Sequence, residues 1–183
     1  TLEKIDFSKN NITNAEKLTI FLKSCFKISS SVDSNTISIY KKDSSNMPGK
    51  ANGLLKPKNE IECAIILYAC KKTNIPITIS AGRTSLNGGA TPNGGIIVSI
   101  EKMNFPEIKV HLKDQTVISP VGIFLEELRK EILLQSQRQL YYPVDPTSRN
   151  EAFVGGTLAC NASGFIPGSE GATRFWVEGL EFL

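Results

Sequence analysis

"ISAGRTSLNGGATPNGG", Ile79 to Gly95, lies between the apolar runs "IPITI" and "IIVSI" and carries glycine at 82, 88, 89, 94 and 95. Glycine lets a backbone approach another group without side-chain bulk, so a loop this rich in it holds something close. Successive N–H groups from Ala81 to Asn87, flanked by the hydroxyls of Ser80, Thr84 and Ser85, can curl into a concave nest around an anion. Arg83 can add a charge-assisted contact. The competing reading is a glycine-rich hairpin with Asn-Gly turns at 87–88 and 93–94, which needs no ligand. The loop alone leaves both open. It fits neither the Gly-x-Gly-x-x-Gly dinucleotide fingerprint nor the Gly-Lys-Ser/Thr ending of a P-loop.

A second glycine-rich region, 143–164, shifts the balance. "PVDPTS" is a stiff proline-flanked turn, and "GGTLACNASG" combines small residues with Thr157, Asn161 and Ser163. Two segments that expose backbone and carry hydroxyls suit a long ligand between two lobes. A dinucleotide has that size, whereas a single phosphate needs only one such loop.

Outward from these stretches, the spacing predicts a helix over "NAEKLTIFLKSCF" with Asn14 as its cap, then a short strand at "NTISIY" (35–40) and a loop over 41–53. Asn59 followed by Glu62 opens a helix, "EIECAIILYACKKTN", with Ile61, Ile65, Tyr68 and Ala69 as its apolar face. "ITIS" and "GGIIVSI" read as strands, and "EIKVHLKDQTVISP" reads as a hairpin about "KDQ". Residues 123–136 form an amphipathic helix with Leu125, Leu128, Ile132 and Leu133 on one side. This order indicates an α+β fold with two small lobes.

Composition narrows the function classes. Hydrophobic residues at 40% and charged residues at 21% are those of a globular chain, and no apolar run reaches the roughly 18–20 residues of a membrane span. A net charge of +3 with scattered Lys and Arg gives no nucleic-acid stripe. The cysteines Cys25, Cys63, Cys70 and Cys160 lack Cys-x-x-Cys spacing, and the lone His111 completes no ordinary zinc set, so no metal is expected. They read as reduced, half-buried thiols of a cytosolic protein, with Cys63 and Cys70 on one helical face packing in the core. The opening "TLEKIDFSKN" has no initiator Met and no signal-peptide pattern, which leaves a processed form or an excised piece open.

Taken together, "PITISAGRTSLNGGATPNGGIIVSIEKM", "YYPVDPTSRNEAFVGGTLACNASG" and "GATRFWVEGLEFL" resemble the FAD-binding (PCMH-type) domain of the vanillyl-alcohol oxidase / p-cresol methylhydroxylase superfamily. The nearest branch is similar to the D-lactate and glycolate dehydrogenases, with the alkyl-dihydroxyacetonephosphate synthases as cousins. The resemblance covers about residues 40 to 183 and implies a two-lobed α+β domain binding FAD. Residues 1–40 would be a lead-in, 41–122 the first lobe with its pyrophosphate loop at 80–89, and 123–183 the start of the second lobe.

The resemblance implies that Gly82, Thr84, Ser85, Gly88 and Gly89 surround the pyrophosphate. The family loop has an Arg and several glycines before its Thr-Ser pair; Ser80 and Ala81 stand where it has the first of these, and Arg83 stands where it has the last. Pro146, Thr147, Gly155, Gly156 and Thr157 match a second contact segment. Asn161, Ala162, Ser163 and Gly164 match a third, near the flavin ring, and Gly122 matches a glycine on the adenine side. The loop has no His, which rules out a histidyl link to FAD there; His111 reads as a hairpin surface residue, and the surroundings of Cys160 match non-covalent members. In the family more strands and a substrate cap domain with the catalytic groups follow, so the chain reads as an N-terminal fragment whose catalytic residues lie elsewhere.

The function implied is oxidation of a 2-hydroxy acid such as D-lactate or glycolate, with hydride transfer to non-covalent FAD and a separate electron acceptor as partner. The alternative is an FAD- or nucleotide-binding module without redox catalysis.

Overall fold

The computed structural model describes Ile5 and residues 12–165 and 170–183. Its residues fall into two compact units, one running to Lys102 and including Leu183, the other from Met103 to Phe182. The hairpin and Gly122 thus belong to the second unit, whereas the sequence division at 122 assigns them to the first.

In the first unit, helix α1 spans Asn14–Phe26 and buries Ala15, Leu18, Thr19 and Leu22 at i, i+3, i+4, i+7 spacing. Burying each leucine contributes about 2 kcal/mol. Thr13, not Asn14, is the cap. Its hydroxyl accepts from Glu16 N–H while the Glu16 carboxylate accepts from Thr13 N–H at 2.6 Å, a complete capping box. Strand β1 (Ser29–Ser31) follows.

The expected strand at 35–40 is instead a short helix, α2 (Ser34–Ser38). Asp33 caps it through Thr36 N–H at 2.7 Å, and only Ile37 within it is buried, with Tyr40 three residues on. One buried apolar residue per turn satisfies a helix, and the apparent period of two had no second face to bury.

Strand β2 (Gly53–Lys56), helix α3 (Glu60–Thr73) and strand β3 (Ile77–Ser80) come next. Asn59 caps α3, accepting from Glu62 N–H at 2.9 Å, as the sequence predicts. The buried side of α3 is Ile66, Ala69 and Cys70, with Ile65 packed against the core. Ile61 and Tyr68 are 65% and 60% exposed, so the expected apolar face was displaced by part of a turn. Strand β4 (Ile96–Ser99) is wholly buried.

The strands lie in the order β1–β2–β4–β3, with β2, β4 and β3 parallel and β1 antiparallel to β2. Side chains alternate across this sheet. Leu55, Ile96 and Val98 join Leu18, Leu22, Ile28 and Ile66 in one cluster, while Leu54 and Ile97 join Ile37, Tyr40 and Ala51 in another.

The second unit holds the hairpin β5 (Lys109–His111) and β6 (Thr116–Ile118), helix α4 (Leu125–Gln135), the short helix α5 (Val154–Ala159) and a 3-10 turn at Thr173–Trp176. Ile123, Leu125, Leu128, Ile132 and Val154 form its core. Leu133, placed by the sequence on the apolar side, is 40% exposed. None of the four cysteines forms a disulfide: Cys70 is buried and Cys63 partly so, but Cys25 and Cys160 are exposed rather than half-buried.

Candidate functional site

β3 and β4 pair as parallel neighbours, Ile77 with Ile96 through Ser80 with Ser99. That excludes the hairpin reading, because a hairpin joins antiparallel strands. A chain leaving the end of β3 must travel back along the sheet to re-enter β4 in the same direction, a return usually made by a helix. Residues 81–95 make it with irregular backbone.

Such backbone needs partners, and the 41–52 segment supplies many. Ser44 N–H donates to Arg83 O (3.0 Å), Lys50 N–H to Pro92 O (2.8 Å), Gly94 N–H to Lys50 O (2.6 Å) and Asn52 N–H to Gly95 O (2.9 Å). The buried Asp43 is the polar anchor. Its Oδ2 accepts from Ala90 N–H at 3.2 Å, and its Oδ1 accepts from the N–H and hydroxyl of Ser45. Burial alone would raise its pKa; these hydrogen bonds outweigh that and hold it below the ordinary value. Gly95 enters β4 at φ 69°, and a β-carbon there would collide with the Pro76 carbonyl.

The first half of the loop is different. The N–H groups of Ala81, Gly82, Arg83, Thr84, Ser85 and Leu86 have no acceptor among the described residues, and neither has the Thr84 hydroxyl. The Ser85 hydroxyl is engaged within the loop, donating to Asn87 Oδ1 at 2.6 Å and accepting from Gly89 N–H at 3.2 Å. Gly88 sits at φ 78°, the region that favours glycine, with the Met47 thioether beside it. Ser80, the residue before the run, is wholly buried and its hydroxyl has no partner among the described residues. A buried orphan hydroxyl beside a run of unpaired donors is unfavourable in isolation. It suits an oxyanion that accepts from several of them.

Arg83 is at φ 58°, the region that favours glycine. Its guanidinium carbon lies 4.7 Å from the centre of the Tyr40 ring, and one terminal nitrogen donates to Ala81 O at 3.4 Å. Tyr40 donates to Glu101 Oε2 at 2.7 Å, and Lys56 pairs with Glu101 Oε1 at 2.6 Å. Burial pushes Tyr40 up, helped by the Glu101 carboxylate. Burial also opposes the charge of Glu101, but Lys56, Tyr40 and Ser99 outweigh it and hold the carboxyl below its ordinary value.

The remaining candidate residues lie in the second unit, gathered about α5. Gly122 N–H donates to Met103 O at 2.8 Å, and the carbonyls on either side of it, Val121 and Ile123, accept from Gly155 and Val154 N–H. Pro146 and Thr147 form a turn closed by Arg149 N–H on Pro146 O, and stapled by Arg149 to Asp145 at 2.6 Å and to Glu126 at 3.1 Å. Gly156 lies within α5, and its carbonyl accepts from Cys160 N–H. Thr157 is buried, and its hydroxyl donates to Val154 O at 2.8 Å. Asn161, at φ 49°, accepts from Arg174 N–H, and Ala162 O accepts from the N–H and hydroxyl of Thr173. Ser163 bridges Ala172. Gly164 lies where a β-carbon would come within 2.9 Å of Asp145 N, which joins the second and third segments.

Sequence reasoning missed Tyr40, Asp43, Lys56 and Glu101. Only Asp43, the one acid in the loop at 41–53, stood out by composition. Among the described residues no cluster of His, Cys, Asp or Glu could hold a metal, and no helix is long and apolar enough to cross a membrane.

Residues 51–183 match the family described as FAD binding domain. The chain is 36% identical to D-2-hydroxyglutarate dehydrogenase of Xanthomonas citri pathovar viticola over 110 residues, which is 60% of this chain and 22% of that protein. It is 34% identical to D-lactate dehydrogenase of Anaerostipes hadrus over 129 residues, 69% of this chain and 26% of that one. The fold superposes on a solved alkyldihydroxyacetonephosphate synthase with a TM-score of 0.76 at 19% identity, over 96% of this chain and 34% of that one. The chain spans about a quarter of the length of these two curated relatives.

Proposed function

The chain belongs to the FAD binding domain family of flavin oxidoreductases, and on that premise we propose that it is the FAD-holding part of an enzyme oxidising a 2-hydroxy acid. FAD is its cofactor. The observation that supports a site for it in the first unit is the run of unpaired N–H groups, Ala81 to Leu86, beside the orphan hydroxyl of Ser80. Ser80 through Ser85, Gly88 and Gly89 are proposed to hold the diphosphate, whose oxygens accept from several donors at once. Gly122, Pro146, Thr147 and 155–157 are proposed as further backbone contacts, and Asn161–Gly164 as neighbours of the flavin ring. Thr157 contributes there through its backbone, because its hydroxyl is engaged by Val154.

Bound FAD supplies the two-electron acceptor for conversion of a 2-hydroxy acid to a 2-oxo acid. D-Lactate and glycolate are the proposed substrates. The groups that take the substrate's proton, and those that choose the substrate, are proposed to lie outside these 183 residues. By themselves these residues bind FAD and turn over no substrate. His111 lies in β5 and Cys160 ends α5, and binding is proposed to be non-covalent.

Titration with FAD, read by loss of free flavin fluorescence, tests the binding; a chain that leaves fluorescence unchanged at micromolar FAD sinks it. Anaerobic bleaching of the flavin absorbance near 450 nm by D-lactate, glycolate or D-2-hydroxyglutarate, in the protein that carries this chain, tests the chemistry. Flavin that binds there and stays oxidised with every acid would indicate a binding module instead.

A further inference from the structure

We propose that Tyr40 is a positioning residue for the dinucleotide, acting through Arg83; this rests on the FAD reading above. Arg83 carries the only side chain of formal charge between Ser80 and Gly95. A glycine would hold its φ of 58° without strain, so the side chain is present at a conformational cost. Its carbonyl is fixed by Ser44 N–H at 3.0 Å, and its guanidinium lies on the Tyr40 ring. Tyr40 cannot swing away, because it is 4% exposed and its hydroxyl is held by Glu101.

The charges around the ring are not equivalent. Lys56 also lies over Tyr40, at 5.0 Å, but it is paired with Glu101 at 2.6 Å. Arg83 pairs with no carboxylate among the described residues, and of its guanidinium donors only one is used, on Ala81 O. Among the described residues Arg83 is therefore an uncompensated cation, with donors to spare, within the run whose backbone N–H groups also lack acceptors there. An arginine restrained on an aromatic face loses less side-chain freedom when it engages an anion than one free in solvent. Tyr40 thus sets where the charge of Arg83 stands before the diphosphate arrives, without touching the ligand itself.

The test is FAD titration at low and at physiological salt, with riboflavin, which lacks the diphosphate, as the second ligand. Arg83→Gln is expected to weaken FAD about tenfold and to flatten the salt dependence, leaving riboflavin unchanged. Tyr40→Met, which keeps apolar volume and removes the ring, is expected to weaken FAD severalfold in the unaltered background and to add nothing to Arg83→Gln. Tyr40→Phe, which keeps the ring, stays within about twofold of the unaltered chain. Should Tyr40→Met fail to fold, Tyr40→Leu takes its place, and Arg83→Gln decides the charge contribution on its own. Additive effects of Arg83→Gln and the ring-removing change, or an Arg83→Gln chain that binds FAD with unaltered affinity and salt dependence, overturn this inference alone. An unaltered chain that binds no FAD overturns the function reading and this one with it.

Discussion

The loop 81–95 and the stretch 153–164 look alike in composition, with glycines interleaved among Thr, Ser and Asn, yet they fold to opposite ends. In 153–164 many of the polar groups are matched inside the molecule. Thr157 is bound to Val154, Asn161 to Arg174, Ala162 to Thr173, and the first amides of α5 to the carbonyls of Val121 and Ile123. In 81–95 the second half is matched by Asp43, Lys50 and Asn52, while the first half, although its Arg83 carbonyl accepts from Ser44, leaves six consecutive N–H groups without acceptors among the described residues. Glycine content therefore marks close approach of backbone in both. What separates the two stretches is whether the backbone donors are already taken within the molecule.

The largest effect that bears on this contrast is expected at the closed end of the loop. Gly95→Ala places a β-carbon against the Pro76 carbonyl at a φ of 69°. A loss of about 3 kcal/mol, or roughly 10 °C in Tm, follows. Thermal unfolding followed by circular dichroism checks it, and an unchanged Tm would show that the return to β4 is not as tight as described.

Next comes the anchor. Asp43→Ala leaves the N–H groups of Ala90 and Ser45 without their acceptor and is expected to cost about 2 kcal/mol in urea unfolding. The pH dependence follows from the direction of its shift. The folded pKa lies below the ordinary value of 3.8, so the contribution is fully present above about pH 5 and is lost as pH falls through the folded value. Asp43→Asn is expected to reduce that acid sensitivity, and an unaltered acid limb of the stability curve would remove Asp43 from the account.

A smaller pair of effects sharpens the comparison most, because they differ in kind. Thr157→Val breaks a matched hydroxyl and is expected to lower stability by about 1 kcal/mol with no change in FAD affinity. Ser80→Ala removes an orphan hydroxyl and is expected to leave stability unchanged or slightly raised, while FAD binds severalfold more weakly. Reversal of that pattern would mean that the two regions exchange roles.

The smallest effect concerns the thiols. Burial pushes Cys70 up to about 11, so it is expected to resist alkylation at pH 8 until the chain unfolds, whereas the exposed Cys25 and Cys160 react in the native state. Mass spectrometry of alkylated peptides distinguishes them.

Much of the fold was legible because its elements carry local signatures. Asn59 with Glu62 gave the start of α3, and the β-branched "ITIS" and "IIVS" gave β3 and β4. The strand β1 is three serines, and its pairing with β2 is decided by neighbours far away in the chain, so no local pattern could show it. The parallel pairing of β3 and β4 was equally invisible, since "NG" turns between two apolar runs are the usual hairpin sign. For the site, small residues and hydroxyls marked where backbone is exposed. The partners that brace the loop, Tyr40, Asp43, Lys56 and Glu101, come from separate segments and gain meaning only once the sheet brings them together.

The amides of Ala81–Leu86, unpaired among the described residues, are proposed to receive the dinucleotide's phosphates. Amide hydrogen exchange resolved by residue, with and without saturating FAD, addresses this assignment directly. Fast exchange of these six amides is expected in the free chain and strong protection in the presence of FAD, while amides already bonded within the molecule and outside the proposed contacts, such as Lys50 and Ile96, change little. Tight FAD binding with Ala81–Leu86 still exchanging at the free rate would contradict it.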